Sequence, residues 1–217
     1  MKMCEFLKSR REVDVCSRLL DQQGLIHHIV NPKDWDLAHI VPALSDGNLL
    51  DMGSSDSYLL WNAVTRGIKG FKIGIDFRPP ERHLRGVSFM VGDLMTTQLP
   101  ANSFQNLTCL SVLEHGVDYK ALATEAARLL APGGRIYLSF DYWEPKIIQD
   151  IPLYGLTWNI LCKPDAVLLI NIFQQHGLQL AEEVDWTLGD AVIQADYWAP
   201  PGSRPYTFGL LTFTKIT

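Results

Sequence analysis

The stretch that decides the fold is Asn48-Leu49-Leu50-Asp51-Met52-Gly53-Ser54-Ser55-Asp56-Ser57. A short apolar run ends in an acid, turns at a glycine, and gives way to Tyr58–Thr65, which reads as a helix closed by Gly67. The same ending recurs downstream. Lys72-Ile73-Gly74-Ile75-Asp76 and Val87-Ser88-Phe89-Met90-Val91, followed by Gly92-Asp93, are two further short strands that finish at an aspartate. In an open parallel sheet ligands bind outside the carboxyl ends of the strands, so three acids at three strand ends point to one site. Asp51 alone fits a helix N-cap equally well, since aspartate is favoured there. Three such acids with Gly53 between them are poorly explained by capping.

Outward from this stretch, strands and helices keep alternating. Phe104–Leu113 is a fourth strand, Tyr119–Leu130 a helix stopped by Ala131-Pro132-Gly133-Gly134, and Arg135–Phe140 a fifth strand. Pro164–His176 is a helix, Leu178–Val184 a sixth strand and Thr207–Lys215 a seventh. Alternation of this kind implies an α/β fold, and near-continuous apolar strands imply a sheet covered on both faces. Residues 1–46 read as a separate helical extension packed on the same domain. It holds an amphipathic helix over Ser9–Gln22 and a short one around Trp35, Ala38, His39 and Val41, entered through Asn31-Pro32-Lys33-Asp34-Trp35. The main domain then runs from 47 to 217, with irregular, aromatic-rich insertions at 141–160 and 186–206.

The turn at 51–57 constrains the ligand. A phosphate loop needs several glycines so that backbone amides can cradle an anion. Here Gly53 is the sole glycine, no lysine follows, and Asp56 adds repelling charge. A cofactor that is cationic and free of phosphate fits better; S-adenosylmethionine, with adenine, ribose, a sulfonium and an amino acid, is one. Asp76 stands 25 residues after Asp51, near the spacing at which an acid reaches ribose hydroxyls in dinucleotide folds, and a carboxylate can accept from both. The missing glycine fingerprint and Asp56 argue against a nicotinamide oxidoreductase.

Taken together these motifs resemble the class I, Rossmann-like S-adenosylmethionine-dependent methyltransferases of small-molecule type. The resemblance is carried by Leu49-Leu50-Asp51-Met52-Gly53-Ser54, Gly74-Ile75-Asp76, Val91-Gly92-Asp93-Leu94, Leu110-Ser111-Val112-Leu113-Glu114-His115 and Leu129-Leu130-Ala131-Pro132-Gly133-Gly134, in that order. It implies a seven-stranded, mostly parallel, doubly wound sheet ending in an antiparallel hairpin, with the N-terminal helices as a cap. It implies S-adenosyl-L-methionine as cofactor, held by Asp51, Gly53, Ser54, Ser55, Asp76, Phe77, Gly92, Asp93, Leu94, Ser111 and Val112. Asp76 would take the ribose and Asp93 the adenine amino group, with Phe77 and Leu94 beside the ring. Ser55 and Ser57 stand where the family's second and third glycines usually are. The implied activity is methyl transfer to a small molecule, at an oxygen of a saccharide or specialised-metabolite intermediate. The alternative is a methyltransferase-fold protein with little turnover, acting as a binding or scaffold subunit.

Candidates for the chemistry follow from position. His115, after the fourth strand, is either a general base or a histidine that only hydrogen-bonds near the cofactor. Asp141 after the fifth strand is a second candidate base. Tyr142, Trp143 and Trp158 are candidates to stack on the acceptor, or else to pack irregular loops; Tyr197 and Trp198 offer a lid or ordinary packing. Arg78, Arg82 and Arg85 read as a solvated face, and His27, His28 and His39 lack metal-ligand company, so no metal is expected.

Composition sets the remaining limits. The 217 residues are 47% hydrophobic and 20% charged, ordinary for a globular chain. With 19 Lys+Arg against 24 Asp+Glu the formal charge is -5, which disfavours a nucleic-acid binder. Cys4, Cys16, Cys109 and Cys162 form no C-x-x-C pair, as in a reducing compartment. No apolar run reaches about 18 residues, so no membrane span is expected, and Glu5, Arg10, Arg11 and Glu12 stand where a signal peptide needs an apolar stretch. The expected protein is cytoplasmic and acts on a small molecule without nucleic acid or membrane; oligomerisation stays open.

Overall fold

The computed structural model describes residues 1–216; Thr217, the expected end of the main domain, lies outside them. The elements in chain order are β1 (Glu5–Phe6), α1 (Arg10–Gln22), α2 (Asp34–Ala43), β2 (Leu49–Met52), α3 (Tyr58–Thr65), β3 (Lys72–Asp76), β4 (Ser88–Val91), β5 (Phe104–Leu110), α4 (Tyr119–Leu129), β6 (Leu130–Tyr142), α5 (Lys163–Gln175), β7 (Leu178–Leu180) and β8 (Thr207–Lys215). They build one sheet in the order β1-β8-β6-β5-β2-β3-β4, with β7 also paired to β8. The pairings among β2 to β6 are parallel, and β8 runs antiparallel to β6, β1 and β7. After β4 the chain crosses back to lay β5 on the other side of β2, so the topological switch point lies between β2 and β5.

The sheet is covered on both faces by two apolar clusters. One joins α4 and α5 to Leu50, Met52, Leu107, Leu138 and Phe140; the other joins α1, α2 and α3 to Leu49, Tyr137, Phe208 and Leu210. Alternate residues of each strand serve opposite faces. On β6 the odd-numbered residues Tyr137, Ser139 and Asp141 turn toward the N-terminal helices: Tyr137 donates to Ala43 O at 2.9 Å and Ser139 to Asp36 Oδ1 at 2.9 Å. Local signals place the ends. Ser9 caps α1, Ser57 caps α3 by accepting from Leu60 N at 3.0 Å, and Asp118 caps α4.

Four expectations need correction. The sheet has eight strands, because Glu5–Phe6 pairs with Leu210 and Gly209; two residues are too short for a periodicity to register. The fifth expected strand starts at Leu130, since a register shift against β5 between Phe104 and Asn106 takes the Pro-Gly-Gly turn into the ladder. The fourth ends at Leu110, because Ser111 adopts φ 55° and Leu113–His115 form a 3-10 turn. Asp141 and Tyr142, expected to open the first insertion, instead end β6 and pair with Phe208 and Thr207; the rest of the two insertions carries no helix and pairs only through isolated bridges. Among the described residues no helix is long and apolar enough to cross a membrane.

Candidate active site

The carboxyl ends of β2, β3, β4, β5 and β6 carry the candidate residues. The loop after β2 turns at Gly53, with φ +78°; a Cβ there would lie 2.4 Å from Val112 Cγ2, so only glycine permits the approach of this loop to the one after β5. The amides of Gly53 and Ser54 both donate to Ile75 O, at 2.8 and 3.0 Å, and the Ser55 amide donates to Asp76 Oδ2 at 2.9 Å. The loop therefore has its leading amides engaged and offers no nest for a phosphate. Asp56, Asp76 and Asp93 add negative charge along the same edge. This donor set fits a cationic cofactor without phosphates.

Beside the loop, Asp76 is half-buried and Phe77 next to it exposes 61% of its surface. Gly92 N donates to Asp76 O at 2.9 Å, tying the two acid-bearing loops together. Asp93 is half-buried and accepts from Met95 N at 2.8 Å, while Leu94 is buried beneath. Ser111 and Val112 are half-buried on the loop after β5. These residues share one edge of the sheet.

Asp51 and Ser54 sit differently from the expectation. Asp51 is buried beneath the loop, where its Oδ1 accepts from Thr108 Oγ1 at 2.6 Å and Ser57 bonds to it from above. Burial pushes its carboxyl up to about 6. It secures the loop from below and does not face a ligand. The Ser54 side chain is likewise buried, its hydroxyl turned onto Gly74, where a Cβ would come within 2.5 Å.

The side around the end of β6 is more enclosed. Asp141 is buried, and its Oδ2 accepts from Trp158 Nε1 at 2.8 Å. Trp158 is 3% exposed and meets Tyr206 edge to face. Its ring is therefore part of the core and not an open stacking surface. Tyr142 needs the same correction: strand alternation sends it to the α4/α5 face, where it packs on Phe6 and Phe140. Trp143 returns to the face of Asp141 and is half-buried. His115 is half-buried; burial lowers its basicity, so it is neutral at physiological pH. Its Nδ1 lies 3.4 Å from Thr157 O and its ring meets Tyr154 edge to face, so the first insertion lies over it. Arg78, Arg82 and Arg85 are exposed on an irregular loop after β3, not on a helix.

Three residues that sequence reasoning did not assign to the site meet here. Lys33, just before α2, donates to Ser111 Oγ. Its Nζ also lies 3.4 Å from Asp36 Oδ2 and 3.6 Å from the centre of the Phe208 ring. Asp36 and Glu114 are both buried. Among the described residues none donates a hydrogen bond to Asp36 Oδ2 or to either oxygen of Glu114. Glu114 stood inside a quoted motif, yet nothing in its spacing announced burial. The enclosure is interlocked: Tyr197 donates to Asn31 Oδ1 at 2.8 Å, Asn159 N to Glu114 O at 2.9 Å, and Gln149 and Arg204 exchange two hydrogen bonds.

Comparison with known proteins agrees with this fold. Residues 50–138 match the family model described as a methyltransferase domain. The chain is 31% identical over 165 residues to an arsenite methyltransferase of Aquipseudomonas alcaligenes, covering 62% of this chain and 47% of that one. It is 28% identical over 128 residues to a ubiquinone biosynthesis O-methyltransferase of Dechloromonas aromatica, covering 55% of each. The chain thus spans about half the length of the curated relatives it matches. Among solved structures, the 1,6-didemethyltoxoflavin-N1-methyltransferase of Burkholderia thailandensis, with S-adenosylhomocysteine bound, superposes with a TM-score of 0.59 at 15% identity, over 95% of this chain and 88% of that one. Fold and matched region agree: residues 50–138 are similar to a methyltransferase domain, and the chain shares its fold with a methyltransferase solved with S-adenosylhomocysteine bound.

Proposed function

We propose that the protein transfers a methyl group from S-adenosylmethionine to a small-molecule acceptor, at an oxygen of a saccharide or specialised-metabolite intermediate. The observation that carries the reading is the loop at 53–57. Its first amides are satisfied by Ile75 O and Asp76 and its rim is acidic, so it favours a cationic ligand over a phosphate-bearing one. The relatives bear names as different as arsenite methyltransferase and ubiquinone biosynthesis O-methyltransferase, so the acceptor must be read from this chain's own walls. The enclosed side is lined by carboxylates, which accept hydrogen bonds and so suit a hydroxyl-bearing acceptor.

Bound cofactor supplies an electrophilic methyl group. In this reading Asp76 accepts from the ribose hydroxyls, with Phe77 and Leu94 beside the adenine and Asp93 on its amino group. Gly53, Ser55, Gly92, Ser111 and Val112 shape the cleft through the backbone, while Asp51 and Ser54 hold the loop from below. Neutral His115 and Asp141 are the candidate proton acceptors, Trp143 borders the acceptor, and the two insertions exclude water. Alignment of this kind contributes up to about 7–11 kcal/mol in well-oriented model reactions. The scaffold alternative rested on the serines in the glycine loop. Ser57 has a use of its own, capping α3 and bonding Asp51, which removes part of that motive.

Calorimetric titration with S-adenosylmethionine and S-adenosylhomocysteine tests the reading. Micromolar binding is expected, weakened roughly 10- to 150-fold in Asp76→Ala by loss of charge-assisted hydrogen bonds. Absence of binding at millimolar ligand overturns it. In an acceptor screen, His115→Ala should lower turnover by about 100-fold if His115 is the base; unchanged turnover assigns the proton elsewhere.

A further inference from the structure

Glu114 is 1% exposed, and neither of its carboxyl oxygens has a hydrogen-bond donor among the described residues. Asp141 is buried as well, and one short segment ties the two together: Asn159 N donates to Glu114 O and Leu161 N to Asp141 O, each at 2.9 Å. Asp141 differs in being served: the indole N–H of Trp158 is directed at its Oδ2 at 2.8 Å. Among the described residues the one cation near the two is Lys33, which is engaged with Ser111 and Asp36. Two bare carboxylates side by side away from water repel each other and each lacks solvation, so one of them keeps a proton. The unserved one keeps it: protonated Glu114 becomes a donor, and the carboxylate of Asp141 accepts from both Glu114 and Trp158.

We propose that Glu114 and Asp141 form a carboxyl pair that rests with one proton and takes a second from the acceptor during methyl transfer. The inference rests on the methyltransferase reading above and extends the base from Asp141 alone to a pair that includes Glu114. The balance is complete. The acceptor's O–H bond breaks and its O–CH3 bond forms, while the donor's C–S bond breaks with its electron pair left on sulfur. The proton passes to Asp141 and from there to solvent before the next cycle. A sulfonium charge disappears as a carboxylate charge disappears, so the enclosed site keeps its net charge, which a low-dielectric interior favours.

The groups facing the pair are consistent with this assignment. Burial, then repulsion from Asp141, holds the Glu114 carboxyl well above its usual range, with Lys33 opposing and Asp36 adding to the rise. Burial pushes Asp141 up to about 6, against Lys33 and the Trp158 hydrogen bond. That is near the working pH, where a general base is most effective. Cys109, Tyr119 and Tyr206, also packed near Glu114, are all pushed upward by burial and stay neutral, so none of them competes for the proton.

Two measurements test the pair without a known acceptor. Infrared spectra of the free protein at pH 7 should show a neutral carboxylic acid that is lost in Glu114→Gln. Calorimetry in buffers of different ionisation enthalpy should show more proton uptake with S-adenosylhomocysteine than with S-adenosylmethionine near pH 6. That difference should vanish in Asp141→Asn. Equal uptake with the two ligands overturns the proposal while leaving cofactor binding intact. A neutral-acid signal that survives in Glu114→Gln also overturns it. Failure of both ligands to bind, with the infrared signal present, instead overturns the methyltransferase reading. Should either variant fail to fold, the uptake difference in the unaltered protein decides alone.

Discussion

Asp51 shows how one buried carboxylate serves the site at a cost to the fold. It holds the loop through Thr108 and Ser57, yet burial raises its pKa to about 6. The folded state therefore binds more protons than the unfolded state between about pH 4 and 6. Stability from this group falls as pH rises through that window, by about 3 kcal/mol for a shift of this size. Asp51→Asn keeps an oxygen for Thr108 and removes the buried charge. Urea unfolding should show the variant more stable than the parent at pH 8 and no more stable at pH 4. Equal gaps at the two pH values would mean that folding does not raise the Asp51 pKa. What the sequence showed at this scale followed from strand ends. Asp76 and Asp93 were legible because a short apolar run ending in an acid is a local pattern. Lys33 and Asp36 were not, because only folding brings them to Ser111, Ser139 and the acid pair from a distant part of the chain. Tyr142 was misassigned for want of parity: Ser139 and Asp141 face the cap, so the residue between Asp141 and Trp143 must face the other way.

At the scale of the element, the segment between α1 and α2 is the part that delivers Lys33. Its anchor is Asp34, fully buried. Asp34 accepts from Ser17 Oγ at 2.8 Å and His28 N at 2.8 Å, and it lies 2.7 Å from His27 Nδ1. The other ring nitrogen of His27 lies 2.9 Å from Asp21 on α1. Hydrogen bonds to Asp34 and Asp21 hold the His27 pKa above its ordinary value. A raised histidine contributes stability that is fully present below its unfolded pKa, about 6.5, and is lost as pH rises through the folded value. His27→Ala should therefore destabilise the protein at pH 6, and the gap to the parent should narrow by pH 9, measured by urea midpoints. A pH-independent gap would assign His27 a packing role instead. Helices and long strands were readable because periodicity accumulates over many residues. This connector carries no periodicity, and Asn31-Pro32-Lys33 marked only a helix entry.

For the whole molecule, the question is whether residues 1–46 are an accessory to the domain from 47 onward. The core answers it. Leu7, Val13, Leu20, Trp35, Ile40 and Val41 share one cluster with Leu49, Leu60, Tyr137 and Phe208 of the sheet. Buried apolar side chains contribute roughly 1.5–3 kcal/mol each. Even four of them therefore match a typical total stability of about 5–15 kcal/mol. Removing the segment would also take β1 from the edge of β8, and would strip Ser139 and Ser111 of Asp36 and Lys33. A chain starting at residue 47 is accordingly expected to show no cooperative thermal transition by circular dichroism, whereas the full chain unfolds in one. A truncated chain that melts cooperatively would overturn the expectation of a shared core. If it also bound S-adenosylhomocysteine as tightly as the full chain, the cofactor half of the site would be self-sufficient, and the extension would serve the acceptor side alone.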